Sequence, residues 1–319
     1  MTAKIFIDGE AGTTGLQIRQ RLTGRRDLTL LSIPEERRKD PTARAELLNA
    51  ADLAILCLPD AAARESVALL EGESTRVIDA STAHRVADGW VYGFPEMEPG
   101  HEAKVAGARF VANPGCYPQG AIALLRPLVS KGLLPPDYPV AIHAVSGYTG
   151  GGKGLIERFE GDAADQAPAH YLYGLSLKHK HLPEMERYAL LTRPPLFVPS
   201  VGRFAQGMLV QIGFHLTDLE GTPSATDLQA VLAEWYVGRR YVEVAALADS
   251  QAASELDPEA LNGTNLLRLH VFGSEDGQRA LLIAQLDNLG KGASGAAVQS
   301  LNLMLGLEES AGLELRQAA

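Results

Sequence analysis

The way the chain begins constrains its fold more than any other feature. A short apolar run, Ala3–Asp8, enters a glycine-spaced turn, Gly9-Glu10-Ala11-Gly12-Thr13-Thr14-Gly15, and leaves it in a helical pattern over residues 14–22. A strand that feeds a helix in this way returns as a second, parallel strand, because a crossover is the short path back onto the same sheet. Further β-rich runs at 28–33, 53–58, 75–80 and 109–112, a helical pattern over 42–49 and a helix cap at Asp60 continue the alternation. The first 115 or so residues therefore predict an α/β domain, a Rossmann-type doubly wound parallel sheet.

Beyond Cys116 longer alternating segments appear, at 140–148, 208–216, 266–272 and 280–286. Alternation of this kind suits strands with one covered face and one open face, so a second α+β domain with a mainly antiparallel sheet is expected. The glycine-rich stretch 146–154 reads as a loop with a function, 249–263 as a connection, and 294–305 as a helix with an apolar face. The change of pattern places the expected boundary between the two domains near Cys116. A length of 319 residues is enough for two cores.

A formal charge of −10 opposes binding to nucleic acid or to anionic membrane, and no apolar run approaches the ~18 residues of a membrane span. The start lacks the basic, apolar and small-residue segments of a secretion signal. Two cysteines in unlike contexts, Cys57 and Cys116, point to a reducing compartment, so a cytoplasmic protein is expected. An anionic substrate then requires a local basic pocket. Arg37-Arg38-Lys39, Arg85, Lys153 and Lys178-His179-Lys180-His181 are the candidates, although many such charges are simply solvated.

Gly9, Gly12 and Gly15, with Thr13 and Thr14 at the helix start, suit a pyrophosphate: the backbone turns tightly and presents unpaired N–H groups to the anion. At the end of the second strand an acidic residue would hold ribose hydroxyls and repel a 2′-phosphate. Here that position is Ser32, with Arg37 and Arg38 following Glu35 and Glu36, which favours NADP(H) over NAD(H).

Asn113-Pro114-Gly115-Cys116-Tyr117-Pro118 lies after a strand and before the helical run 120–128. A cysteine at a strand-to-helix turn faces unpaired N–H groups and the positive end of the helix dipole, which favour thiolate. Pro118 fits the first helical turn. Cys57, inside Ala54-Ile55-Leu56-Cys57-Leu58, reads as a buried small hydrophobe instead. His179 and His181, two residues apart on a segment read as extended, point to one side, so that one serves as acid/base and the other binds substrate or orients its neighbour. No carboxylate or cysteine cluster completes a metal site around them, and no metal is expected.

Taken together, these motifs resemble the N-acetyl-gamma-glutamyl-phosphate reductase family, in its shorter sequence subtype, a relative of aspartate-semialdehyde dehydrogenase. The resemblance spans nearly the whole chain. It is carried by the glycine turn, Asp79-Ala80-Ser81-Thr82-Ala83-His84-Arg85, Tyr92-Gly93-Phe94-Pro95-Glu96-Met97, the Cys116 motif, Ser146-Gly147-Tyr148, the segment around His179 to Glu184, and Asn288-Leu289-Gly290-Lys291-Gly292-Ala293-Ser294-Gly295. It implies that Cys116 is the acyl-carrying nucleophile and His179 the acid/base. It also implies that Asn113, Arg85, Ser146, Gly147 and His181 contact a small acyl phosphate. Gly290 and Gly292 would return the chain beside the nicotinamide, so that the implied division is residues 1–115 with 290–319 for the NADP-binding domain and 116–289 for the catalytic and oligomerisation domain, and the protein would be a homodimer or homotetramer. Lys180 departs from the arginine common between the two histidines. The implied reaction is NADPH-dependent reduction of N-acetyl-gamma-glutamyl phosphate to the 5-semialdehyde, in arginine biosynthesis. Reduction of another acyl phosphate, such as aspartyl phosphate, uses the same chemistry. A non-catalytic NADP-binding sensor would need neither Cys116 nor the histidines, and a cysteine hydrolase would leave the glycine turn without a purpose.

Overall fold

The computed structural model describes residues 2–38 and 40–313. The chain divides into two compact units. Of the described residues, 2–95, Gly100–Pro114 and 293–313 form the first; Glu96–Pro99 and Gly115–Gly292 form the second.

The first unit opens with β1 (Ala3–Asp8), α1 (Thr13–Leu22) and β2 (Leu28–Leu31), followed by α2 (Pro41–Ala50), β3 (Leu53–Leu56) and α3 (Asp60–Ala68). It continues through β4 (Arg76–Asp79), β5 (Val91–Tyr92), α4 (His101–Gly107) and β6 (Phe110–Ala112). Six strands form one sheet in the order β2-β1-β3-β4-β6-β5, with every neighbouring pair parallel. All four residues of β3 are buried, as expected where both sheet faces are covered. The order turns back at β1, and the crevice at the carboxyl end of such a reversal is where α/β sheets take ligands. The glycine turn occupies that place.

Local chemistry sets the boundaries. β2 ends at Leu31, two residues short of expectation, because Pro34 and a 3₁₀ turn over Glu35–Arg37 divert the chain. Asp40 caps α2 by accepting the Thr42 N–H at 3.0 Å, with Pro41 at the first helical position. Asp60 does not cap α3. It lies inside the first turn, behind Pro59, and its carboxylate accepts the Thr82 N–H at 2.9 Å and the Thr82 hydroxyl at 2.5 Å.

The second unit comprises α5 (Cys116–Ser130), β7 (Ala141–Gly147), α6 (Lys153–Glu160), β8 (His170–Leu172), α7 (Leu182–Tyr188), β9 (Leu196–Gly202) and β10 (Met208–His215). Then come α8 (Ala225–Trp235), β11 (Val242–Val244), α9 (Leu247–Ala252), β12 (Leu267–Gly273) and β13 (Arg279–Leu286). The seven-stranded sheet has the order β11-β12-β13-β10-β7-β9-β8 and is mixed: β11·β12 and β7·β9 are parallel and the other four pairs antiparallel. Helices α5 and α8 pack on one face. Gly120 makes this possible, since a Cβ there would stand 3.0 Å from Val210 Cγ2 and 3.2 Å from Ala284 Cβ. The opposite face bears His143, Gly213, His215 and Leu281, all exposed.

Two stretches read as loops are structured. Residues 146–154 finish β7, form a 3₁₀ turn over Tyr148–Gly151 and enter α6. Residues 249–263 begin inside α9 and then bind the ends of the sheet, where the Pro258 carbonyl accepts the Met208 N–H at 3.1 Å and the Asp257 carbonyl accepts Gln285 Nε2. After a π-type turn over Gly290–Ser294, α10 (Gly295–Met304) joins the first unit and packs on α1, α4 and β4. Among the described residues no helix is long and apolar enough to cross a membrane.

Candidate active site

In the first unit the glycine turn is a tight backbone cradle. Gly9 has φ +87°, and a Cβ there would stand 2.4 Å from the Cys57 carbonyl oxygen. At Gly15 a Cβ would meet the Gly9 carbonyl oxygen at 2.6 Å and Glu10 Cα at 2.8 Å. Gly12 is the N-cap of α1, and Thr13 and Thr14 open the helix. Their N–H groups lie in the first turn, which lacks intrahelical acceptors, and no acidic residue shares that turn. The geometry fits a dinucleotide pyrophosphate.

Beside the turn, Ser32 Oγ lies 3.5 Å from Arg19 Nη1 of α1. Glu10 is paired with Arg19 and, at 3.4 Å, with Arg38. Arg38 Nε is buried with no hydrogen-bond partner among the described residues. Arg37 turns the other way, to Asp40 at 3.0 Å and Glu46 at 4.0 Å. Of the three basic residues the sequence offered here, Arg38 therefore faces the turn, Arg37 braces the start of α2, and Lys39 lies outside the described residues. Arg19, which sequence reasoning passed over as one helix cation among several, is the second guanidinium of the group.

Arg85 and Asn113 also belong to this unit. Arg85 is buried, and its guanidinium donates to the Asn113 carbonyl at 3.1 Å and the Ala80 carbonyl at 3.4 Å. It thus braces the backbone that leads towards Cys116. Asn113 donates from Nδ2 to the Ala293 carbonyl at 3.0 Å, while its buried Oδ1 has no partner among the described residues. The Asp79 carboxylate holds the Ser81 hydroxyl at 2.7 Å and the His84 ring at 2.6 Å, and His84 stacks on Trp90 at 4.1 Å.

In the second unit Cys116 is the first residue of the 15-residue helix α5, with Gly115 as N-cap. It is half-buried. Gly292 closes one side: a Cβ there would stand 2.8 Å from Cys116 Cβ. That close approach is fixed by the turn before α10. The Asp287 carboxylate accepts from Leu289 N–H at 2.9 Å, Gly263 N–H at 2.8 Å and Gln206 Nε2, and the Asp287 carbonyl accepts the Gly292 N–H at 2.9 Å. Gly290 fits only as glycine, 2.2 Å from the Thr264 carbonyl oxygen for an added Cβ. Lys291 is fully buried, its ammonium 2.8 and 2.9 Å from the two carboxylate oxygens of Glu96.

The histidines meet Tyr117, the neighbour of Cys116. The His179 and His181 rings are centred 6.3 and 6.0 Å from the Tyr117 ring and 4.7 Å from each other. A turn brings them together, not the extended segment expected from their spacing: the Leu182 N–H bonds the His179 carbonyl at 3.1 Å, and His181 is the N-cap of α7 in the helical region. His179 Nδ1 accepts the His181 backbone N–H at 3.2 Å. His181 is buried, with Nε2 4.0 Å from Glu184 Oε1. Glu184 Oε2 in turn accepts the Gly115 N–H at 3.1 Å, so this buried carboxylate ties the turn before Cys116 to the histidine segment. Burial, with Tyr173 and Cys116 nearby, holds the Tyr117 phenol well above its ordinary range, and it donates to the Ser200 carbonyl at 3.0 Å. Ser146 is buried with its hydroxyl on the Gly147 carbonyl, and Gly147 lies where a Cβ would meet the Ala205 carbonyl oxygen at 2.5 Å.

A family model for the semialdehyde dehydrogenase dimerisation domain matches residues 116–288, and one for the semialdehyde dehydrogenase NAD binding domain matches 31–105. An N-acetyl-gamma-glutamyl-phosphate reductase of Chelativorans sp. (strain BNC1) is 60% identical over 307 residues, 96% of this chain and 99% of that protein. The chain belongs to the N-acetyl-gamma-glutamyl-phosphate reductase family. A second relative, N-acetyl-gamma-glutamyl-phosphate reductase 2 of Nostoc sp., is 53% identical over 97% of this chain and 99% of its own length. The fold is shared with aspartate semialdehyde dehydrogenase II of Vibrio cholerae, with TM-score 0.68 and 14% identity over 96% of this chain and 99% of that one. The chain is an oxidoreductase with a nicotinamide-binding domain.

Proposed function

We propose that the chain reduces N-acetyl-gamma-glutamyl phosphate to N-acetyl-L-glutamate 5-semialdehyde, releasing phosphate, in L-arginine biosynthesis. The observation that carries this reading is the half-buried Cys116 at the start of α5, with Gly292 against it and two histidines around its neighbour Tyr117. The Cys116 thiolate attacks the γ-carbonyl; the S–C bond forms, the C–O bond to phosphate breaks, and a thioester remains on the chain. A thioester carbonyl is a good hydride acceptor because sulfur donates little into it. Hydride is what the nicotinamide supplies when bound. An imidazole then protonates the resulting oxyanion and later takes that proton back, so that the C–S bond breaks and the thiolate is restored. The first-turn N–H groups of α5 are suited to stabilising the oxyanion, but that of Gly115 is committed to Glu184.

The family resemblance implies His179 as the acid/base. The hydrogen bonding favours exchanging the pair. Protonation of His179 at Nδ1 would break the bond that this nitrogen accepts from His181, whereas an imidazolium at His181 has the Glu184 carboxylate as a buried neighbour. In this reading His179, less buried, contacts substrate together with Ser146, Gly147, Asn113 and Arg85. The cofactor read here is NADP(H). Gly9, Gly12, Thr13, Thr14 and Gly15 hold the pyrophosphate, Ser32, Arg19 and Arg38 take the 2′-phosphate, and Gly290 and Gly292 form the glycine-rich return. The chain assembles as a homodimer or homotetramer through the open sheet face that bears His143, His215 and Leu281.

The reverse assay tests the reaction. N-acetylglutamate semialdehyde, phosphate and NADP⁺ should give NADPH, with kcat/KM at least about 100-fold above that for aspartate semialdehyde; equal or inverted rates would reject the substrate assignment. In the same assay His181→Asn should cost more in kcat than His179→Asn, and the opposite order restores His179 as the acid/base.

A further inference from the structure

The glycine turn contains one charged residue, Glu10, and its sign is wrong for a turn that cradles phosphate. A carboxylate there repels the ligand that the loop is built for unless it is held elsewhere. It is held, by two guanidiniums from different elements: Arg19 of α1, and Arg38 of the connection between β2 and α2. The Glu10 side chain is only 12% exposed, whereas those of Arg19 and Arg38 are 40% and 36% exposed. The arginines thus converge on a carboxylate from positions that solvent still reaches. Ser32 Oγ is beside Arg19, Arg38 also stands 3.6 Å from the exposed Glu35 carboxylate, and the buried Arg38 Nε has no partner among the described residues, so the pair retains donor capacity that these carboxylates do not use. A carboxylate offers two oxygens and one charge. A phosphate monoester offers three oxygens and nearly two charges, and it satisfies two guanidiniums more fully.

We propose that Glu10 is an internal stand-in for the 2′-phosphate of NADP(H), occupying Arg19 and Arg38 until the phosphate displaces it. The idea rests on the NADP reading above and makes Glu10 a determinant of cofactor selectivity. While Glu10 is in place, the two arginines do not act as an open trap for other anions. NAD(H), which carries no 2′-phosphate, leaves the arrangement undisturbed. NADP(H) must break these part-buried pairs, so its affinity is lower than the two arginines alone would allow.

Calorimetric titration of the full chain with NADP⁺, NAD⁺ and adenosine 2′,5′-bisphosphate tests this without reference to turnover. Glu10→Gln should bind NADP⁺ and the bisphosphate about three- to tenfold tighter and change NAD⁺ affinity less than twofold, in keeping with the modest strength of ion pairs whose arginines solvent still reaches. Arg38→Met should weaken NADP⁺ binding at least about tenfold, and in that background the gain from Glu10→Gln should shrink. A thermal melt within a few degrees of the parent protein identifies folded variants; should Glu10→Gln fail this check, Glu10→Ser is titrated in its place with the same expectation. Weaker NADP⁺ binding by Glu10→Gln would overturn the proposal in favour of a glutamate that orients the arginines. Unchanged binding, or equal gains for both cofactors, overturns it as well. If the parent protein binds NAD⁺ as tightly as NADP⁺, the NADP reading itself fails, and that ratio distinguishes the two failures.

Discussion

The two cysteines make an instructive pair. Cys57 follows β3 directly, and Cys116 follows β6 by four positions, so each comes shortly after a parallel strand in the sequence. Cys57 extends its strand: its N–H donates to the Asp8 carbonyl at 2.7 Å, and its own carbonyl lies under Gly9. As a residue Cys57 is half-buried like Cys116, not buried as its apolar run suggests, but desolvation first, and then the Asp79 and Asp8 carboxylates, push its thiol up to about 12. Cys116 instead begins a long helix with its N–H groups forward and a glycine on either side of it in space. A place just after a parallel strand thus does not by itself set the chemistry of a thiol. What differs is whether the sulfur meets carboxylates or the start of a helix.

The contrast breaks most readily at Cys116. Cys116→Ser should lower turnover by about 10⁴-fold while NADP⁺ affinity stays within about twofold; retention of more than a tenth of the rate would remove the distinction between the two thiols. A smaller effect is expected from Glu184→Gln, which keeps an acceptor for the Gly115 N–H but removes the charge beside His181. Its kcat should fall about tenfold with KM within about threefold, and the pH profile of kcat should move. If only the melting temperature changes, Glu184 is scaffold and nothing more.

The smallest effect concerns Cys57. Cys57→Ala should leave kcat/KM within about twofold. It should also change the alkaline limb of stability. A thiol with an ordinary value of 9.0 that rises to about 12 in the folded chain stabilises the fold fully below about pH 9, and that contribution is lost as pH climbs towards about 12. Melting temperatures across pH 8–11 should therefore fall more steeply for the parent protein than for Cys57→Ala. Parallel curves would mean that the Cys57 thiol is not shielded as described.

The features legible in the sequence were those written in a few consecutive residues. The glycine turn, the Asn113 to Pro118 motif and the alternating strands β7, β10, β12 and β13 carry their geometry locally. Features that depend on distant partners were not legible. Glu184 meets Gly115 across 69 residues and Lys291 meets Glu96 across 195, and no local pattern distinguishes these side chains from solvated charges. Arg19 looked like any cation in a helix until the turn of the chain after Ile33 brought Arg38 beside it. Strand β9 is not legible because Pro194, Pro195 and Pro199 argue against a strand, yet it lies between β7 and β8, with Pro199 opposite Ala144 just beyond the β8 ladder. Strands β5, β8 and β11 are too short to show a period.

The covalent step is reached most directly by mass spectrometry of the chain mixed with N-acetyl-gamma-glutamyl phosphate in the absence of nicotinamide, quenched in acid. One N-acetylglutamyl group should appear, hydroxylamine-labile and confined to the peptide that contains Cys116, and Cys116→Ser should carry none. Acylation mapped to Cys57, or turnover by a chain that never acquires the group, would contradict the account.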